Sequence, residues 1–452
     1  MSVRRAPATP GVPATAGESY DRVVAGRAWV GGRLVPVEIG IDDEGRIGRI
    51  ARTVRSTGTR LDLGDSVLLP SATDLHVHFR DPGGSDPAES FTTGTEGAAL
   101  GGIGTVVDMP NTQPAVTDRE RLETKAALAR GRIAVDVVLY GQATSPQGIR
   151  ALARVAGGLK LFLSPTTGAE EPITDATLPL LLAAAAASGL PLSVHAEWSD
   201  KFVNPLEAPD STEAWNRTRP PEAETEAVRR LMGAPLDLRL HIAHATLAST
   251  VDTVARAHVS CEATPHHLLL SARPHDDGFR KTNPPLRAEA DRAALWDRFA
   301  AGAVPILASD HAPHHREEKS RSFPEAPSGV PGVETMLPLF LELVRAGRLP
   351  LAVLTAAVMD RPARWLGLPI GRLMPGHRAD FLAVDFRRRA PVAARKLRSP
   401  AGWSPFEGHQ AIFPTWHFRE GSPIVRNGEF VGGASGRIVR PEYVRARPGA
   451  RV

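Results

Sequence analysis

The chain has a single cysteine, Cys261, in 452 residues. No internal disulfide can form, and a reducing compartment such as the cytoplasm fits that scarcity. Long apolar runs are missing as well. The most apolar stretch, residues 178–194, is broken by Pro179 and by Gly189-Leu190-Pro191. It falls short of the roughly 20 residues needed to cross a bilayer and reads as an Ala-rich helix followed by a buried strand. A surplus of one charge sign is also lacking: 54 basic and 50 acidic residues leave a net charge of only +4. The arginines are interleaved with acids, which excludes the clustered footprint of a nucleic-acid binder. A mildly positive surface suits a small anionic substrate. Residues 1–17 have no apolar h-region, so no secretory signal is read there and a disordered tail is expected. Lysine is scarce: six in the whole chain, with arginine supplying the other cations.

What is present is the composition of an ordinary globular protein, 42% apolar and 23% charged, long enough for one large domain and a smaller one. Residues 20–68 alternate in period two between turn signals such as Gly31-Gly32 and Asp43-Glu-Gly45, which predicts short antiparallel strands. The texture returns at 379–385, 411–413 and 424–430, where Asn427-Gly428 is a strong hairpin turn. Both chain ends are therefore expected to build one small β-sandwich. Between them, apolar strands alternate with helical patterns. The strands are expected at 68–80, 104–109, 134–140, 158–163, 192–196, 236–244, 259–262 and 304–310, and helices at 117–130, 222–232, 289–299 and 333–344. Eight such units predict an α/β fold, a (β/α)8 TIM-like barrel. The expected organisation is a tail at 1–18, the N-terminal contribution to the sandwich at 19–68, the barrel at 69–366, the C-terminal contribution to the sandwich at 367–440 and a tail at 441–452.

Chemistry gathers at the strand ends. In Asp74-Leu-His-Val-His-Phe-Arg80, alternation puts Asp74, His76, His78 and Arg80 on one face. Imidazoles two residues apart lie about 6.5–7 Å apart at the backbone and can lean onto one metal ion, with Arg80 beside them as a fixed cation. Asn111, Lys160, His195, His244, Glu262 and Asp310 close later strands, and a barrel collects its strand C-termini on one rim. His244 shares parity with Leu240 and Ile242, so His241 is expected to face away and pack. Four histidines with a carboxylate suit a divalent ion, zinc before others. Lys160 stands alone in an apolar strand. Burial lowers a lysine pKa and frees an amine able to take up carbon dioxide, giving a carbamate that can bridge two metals; the alternative is a lysine whose head reaches out at the rim. Two metals activate water for attack at an amide-like carbon, and Asp310 is expected to move the proton as the catalytic acid–base.

With these motifs assembled, the chain resembles the dihydroorotases of the amidohydrolase superfamily over about residues 20–435. The stretches that carry the likeness are 74–83, Phe91-Thr-Thr-Gly-Thr95, 101–112, Cys261-Glu-Ala-Thr-Pro-His-His-Leu268, Asn283-Pro-Pro-Leu-Arg287, Ala308-Ser-Asp-His-Ala-Pro-His314 and Gly329-Val-Pro-Gly-Val-Glu-Thr335. The resemblance implies metal ligands at His76, His78, Lys160 (as a carbamate), His195, His244 and Asp310. It implies a substrate carboxylate held by Arg80, Asn111 and His314, with Asn283 on the substrate side and the Pro331-Gly332 backbone near the ring. It implies a closing loop at 164–168 whose Thr166 reaches the substrate. Glu262 matches a position that holds a third metal in some relatives; the physical alternative is a residue orienting a histidine. His266 and His267 are open between packing and support of the site, and Asp74 is expected to position a histidine. Many stand-alone bacterial members carry Asp where this chain has Lys160; lysine there is more like the multifunctional eukaryotic enzyme and the hydantoinases. The implied activity is reversible cyclisation of N-carbamoyl-L-aspartate to L-dihydroorotate in pyrimidine synthesis, with two zinc ions. The alternatives are another cyclic amidase, of the allantoinase or dihydropyrimidinase type, or a non-catalytic scaffold partnering aspartate transcarbamoylase. A homodimer, and an active enzyme docked to that transcarbamoylase, are the partner states the resemblance allows.

Overall fold

Eight apolar segments pair in sequence order, and in the computed structural model all are parallel. They are β1 (Ala72–Val77), β2 (Ile103–Asp108), β3 (Asp136–Gln142), β4 (Gly158–Phe162), β5 (Leu192–His195), β6 (Leu240–Ile242), β7 (Ser260–Ala263) and β8 (Ile306–Leu307). A parallel bridge from Val77 to His311 closes the ring, with the His78 amide donating to the His311 carbonyl at 2.7 Å. The structure describes residues 19–30, 33–83, 88–166, 173–204, 206–257 and 259–443. The tail expected at 1–18 and most of that at 441–452 lie outside them, as do Thr167 and Gly168 of the expected loop.

Nearly every residue of the barrel strands is buried, as a parallel sheet covered on both faces requires. Two expected strands come out short. Leu236 is fully exposed, so the segment expected at 236–244 keeps a ladder only over Leu240–Ile242. That expected at 304–310 keeps it only over Ile306–Leu307, and Asp310 turns out of the strand with φ 47°. Two of the helices near the site start behind a polar cap. Ser90 accepts from the Thr93 amide before the helix Phe91–Leu100, and Asp118 from the Arg121 amide before Arg119–Ala129. Phe91–Leu100 packs directly on the site strand because residue 94 is glycine: a Cβ there would lie 2.4 Å from the Phe79 ring.

The chain ends combine into one eight-stranded sheet. Its strands are Ser19–Val30, Arg33–Ile41, Ile47–Ala51 and Arg55–Pro70 from the N-terminal end, and Phe381–Val384, Trp416–Arg419, Ser422–Arg426 and Glu429–Phe430 from the C-terminal end. Every pairing is antiparallel except Ser19–Val30 with Arg55–Pro70. Asn427 and Gly428 both have positive φ, 53° and 85°, and make the turn between the last two strands. The stretch expected at 411–413 instead pairs as Gln410–Ala411 with Ala390–Pro391, apart from this sheet. Arg55–Pro70 runs almost without a break into β1, so the sheet anchors the strand that carries His76 and leads into His78. The joint is ionic: buried Asp136 on β3 accepts from Arg378, from Arg419 at 2.8 Å and from the Arg437 amide at 3.0 Å. No helix among the described residues is long and apolar enough to cross a membrane.

Candidate metal centre and substrate cleft

β1 ends inside the barrel mouth; His76 on it and His78 just past its end are held by Glu262 on β7 and by Asn111 in the loop after β2. His76 Nδ1 donates to Glu262 Oε1 at 2.5 Å, and His78 Nδ1 to Asn111 Oδ1 at 2.6 Å. Each bond assigns the ring proton to Nδ1 and leaves Nε2 bare. The two bare Nε2 atoms are 3.2 Å apart, and Asp310 Oδ1 lies 3.1 Å from that of His78 and 3.4 Å from that of His76. Three acceptors thus converge with no proton among them. A cation in their midst resolves that geometry, and the ligand atoms of His76, His78 and Asp310 all lie within 4.8 Å of one another. The donor set of imidazole and carboxylate fits a divalent metal.

A second imidazole pair adjoins the first. His195 Nε2 donates to Glu197 Oε2 at 2.8 Å, which bares Nδ1; that atom is 3.0 Å from His244 Nε2. His244 Nδ1 is buried without a partner. The His76 and His244 rings are 5.3 Å apart, so the four imidazoles form one cluster. Lys160 Nζ, fully buried, is 3.2 Å from His76 Nε2. Burial pushes its pKa down to about 8, against the pull of Glu262 and Asp310. Burial likewise pushes His78 down to about 4 and Arg80 to about 10. Burial works against the charge of Asp310, yet His76, His78 and His244 hold its carboxyl well below the usual range, so it is an anion. Arg80, His244 and Asp310 have φ of 54°, 37° and 47°, a left-handed conformation costly for residues with a Cβ and concentrated at functional sites.

All of these imidazoles, with Asp310 and Arg80, line one cleft, whereas Lys160 lies beneath its lining. Its wall includes His76, His78, His195, His244 and Asp310, together with Arg80, Asn111, Asn283 and Thr166. Other expected positions fall elsewhere. His314 stands behind Arg80, its Nε2 donating to the Ser328 carbonyl at 2.9 Å and its own carbonyl accepting from Trp403 at 2.8 Å, and does not line the cleft. Pro331 and Gly332 do not line it either; Ser328, Gly329 and Val330 do. His311 Nδ1 accepts from the Gly332 amide at 3.0 Å, and His311, Pro331 and Gly332 line a second cleft. Glu262 has both oxygens engaged, by His76 and by His241 at 3.0 Å, which is the orienting arrangement. Asp74 Oδ1 accepts from the His76 and Ser309 amides. His267 bonds Thr264 and the Pro284 carbonyl, whereas His266 lines the cleft with a buried, unpartnered Nε2.

Glu197 is a residue the sequence pattern does not mark, although it stands two residues beyond His195. Arg219 brackets it, with Nη2 on Oε2 at 2.6 Å and Nε on Oε1 at 3.2 Å. Despite burial, Arg219 and His195 keep Glu197 ionised, its pKa well below the usual carboxylate range. Thr282 and Ser328 also line the cleft from loops without periodic signal.

With the geometry in view, comparison with known proteins places the fold. The amidohydrolase family profile matches residues 67–428. The chain belongs to the amidohydrolase family. This amidohydrolase is similar to the dihydroorotase of Halobacterium salinarum, 37% identical over 415 residues, covering 87% of this chain and 97% of the relative. It is also similar to that of Methanosarcina acetivorans, 35% identical over 452 residues, covering 92% of this chain and 96% of the relative. Among solved structures it resembles the L-hydantoinase (dihydropyrimidinase) from Arthrobacter aurescens, with a TM-score of 0.83 at 26% identity, covering 93% of this chain and 100% of that one. This amidohydrolase is a hydrolase acting on cyclic amides, and His76, His78 and Asp310 form a group able to bind metal.

Proposed function

We propose that this amidohydrolase is a dihydroorotase, interconverting N-carbamoyl-L-aspartate and L-dihydroorotate in pyrimidine synthesis. The observation that carries the reading is Arg80: a half-buried guanidinium lining the cleft, two residues past His78. Dihydroorotate bears a carboxylate beside its reacting ring, and a guanidinium binds such a group bidentately, at roughly twice the strength of a neutral hydrogen bond. The dihydroorotases among its relatives support the same choice. Asn111 and Asn283 line the same wall. The likeness to a hydantoinase favours a second reading, hydrolysis of rings lacking that carboxylate.

His76, His78, His195, His244 and Asp310 would hold two divalent ions, zinc by the chemistry of the ligands. Lys160 would complete the set as a carbamate, formed when its neutral amine adds carbon dioxide and releases a proton. When bound, the metal supplies polarisation of the carbonyl and lowers the pKa of water. The chain's own residues do the rest. Arg80 orients the ring by its acid group. Asp310, anionic and next to His76 and His78, accepts the proton of the attacking water and hands it to the leaving nitrogen; in the reverse direction it takes the proton from the ureido nitrogen.

The test is the Arg80→Ala variant assayed on L-dihydroorotate. KM is expected to rise by roughly ten- to a hundredfold, the loss of one charge-assisted pair, with metal content unchanged. Metal loss at constant KM would refute the anchor, and faster turnover of 5,6-dihydrouracil than of dihydroorotate by the unaltered enzyme would favour the second reading.

A further inference from the structure

Of the chain's six lysines, Lys125, Lys160, Lys281 and Lys319 are buried. Lys125 pairs with Asp108 at 2.7 Å and Lys160 faces the imidazole cluster. The other two have no carboxylate partner among the described residues. Lys319 Nζ donates to the carbonyls of Pro327 at 2.8 Å, Gly329 at 3.0 Å and Lys281 at 3.2 Å. Three carbonyls around one nitrogen stabilise the ammonium form, against burial and the charges of Lys281 and Arg80, which push its pKa down to about 7. Lys281 Nζ donates to the Phe323 and Pro324 carbonyls at 2.8 and 2.9 Å. Aromatic faces complete both shells, Trp215 at 4.8 Å from Lys281 and Trp403 at 5.4 Å from Lys319.

Burial pushes the pKa of Lys281 down to about 8. Lys319 Nζ holds backbone at and next to residues that line the cleft, and Lys281 directly precedes one of them, Thr282. The Gly329 amide donates to the Lys281 carbonyl at 2.9 Å while its own carbonyl accepts from Lys319, and Thr282, Asn283, Ser328, Gly329 and Val330 all line the cleft. Gly329 has φ 134° and lies so close to the Ala312 carbonyl that a Cβ would meet it at 2.4 Å, so the wall requires glycine there. The Asn283 carbonyl oxygen already accepts from Trp215 Nε1 at 3.1 Å and Ser328 Oγ at 3.2 Å, so what it offers a ligand is its amide N–H. Arg80 also offers only donors. The acids nearest Lys319, Asp277 and Glu318, act on it more weakly than the cations Lys281 and Arg80. A fold that needed only a clamp here would be served by a neutral donor, because a buried charge lacking a counter-ion costs stability.

We propose that Lys281 and Lys319 set the preference of this cleft for rings that carry a carboxylate. Their uncompensated charges adjoin the backbone that lines the cleft and make that part of it electropositive through low-dielectric protein. The inference rests on the reading of Arg80 as the carboxylate anchor. It adds that the anchor works within a field supplied by two residues that do not touch the ligand.

The experiment compares, in the metal-loaded enzyme and in Lys319→Gln, Lys319→Arg and Lys281→Gln, the KM for L-dihydroorotate with the inhibition constant of 5,6-dihydrouracil, the same ring without the acid group. Lys319→Gln is expected to raise the first on the order of tenfold and to leave the second within about twofold, and Lys319→Arg to restore the preference. Parallel change in both constants, or in neither, overturns the proposal and leaves the lysines as a structural clamp. Should Lys319→Gln not fold, Lys281→Gln carries the same comparison. An unaltered enzyme that binds both rings equally would remove the carboxylate reading itself, whereas a preference that survives both substitutions removes only the role given to the lysines.

Discussion

At the scale of single residues, the site is defined by which ring nitrogen each histidine leaves bare. Glu262, Asn111 and Glu197 each take one imidazole proton, and each thereby aims the opposite nitrogen at the centre. Glu197 depends in turn on Arg219. Replacing Glu197 by Gln keeps the shape but gives up the charge that both His195 and Arg219 bind. Metal affinity is expected to fall by about tenfold, the usual cost of losing such a partner, as measured by competition with a chelator. His76, His78, His195, His244 and Asp310 were legible in the sequence because each ends an apolar run, where a polar side chain has no packing reason to be. Arg219, Lys281 and Lys319 were not. Arg219 and Lys281 follow short helical turns and Lys319 ends the short helix Arg316–Lys319, all positioned by contacts tens of residues away, and nothing in the local pattern distinguishes these buried cations from exposed ones. His314, against the Arg80 guanidinium, and Pro331-Gly332 lie outside the cleft lining because the hydrogen bonds of His311 and Trp403 hold those segments.

At the scale of elements, the strand pattern was readable and its limits were not. The apolar runs predict eight strands, and eight form. The rim residues, however, leave the ladder early, as the positive φ of His244 and Asp310 records. Strand alternation therefore stops being a guide just where the chemistry starts. Helix Phe91–Leu100 matters to the site through Gly94, whose missing side chain lets Phe79 seat against the helix. Gly94→Val is expected to cost about 1–3 kcal/mol by overpacking, read as a lower midpoint in urea. Because Phe79 follows His78 directly, chelator competition should show weakened metal binding in the same variant.

At the scale of the whole molecule, the barrel and the two-ended sheet follow from the alternation of β and α patterns between two β-rich ends. The ionic joint at Asp136 does not, since its arginines come from residues 378 and 419. Stability as a whole should carry the signature of Glu334, buried in the second cleft with Oε2 accepting from the Arg398 amide at 2.7 Å. Burial raises its pKa from 4.5 to about 8. Between those values the folded protein holds a proton that the unfolded chain has released, so the contribution is fully present below 4.5 and is lost as pH rises through 8. Urea unfolding should show stability declining across that window, by at most on the order of 1 kcal/mol per pH unit, and Glu334→Gln should flatten the decline.

The seam of the barrel has a further consequence. His76 stands on its first strand with His78 just past that strand's end, Asp310 lies just beyond its last, and the hydrogen bond from the His78 amide to the His311 carbonyl fastens the two together. During synthesis on the ribosome, more than two hundred residues separate the emergence of the first of these donors from the last. A half-made chain therefore offers an ion only scattered imidazoles, and capture waits until the polypeptide has come full circle.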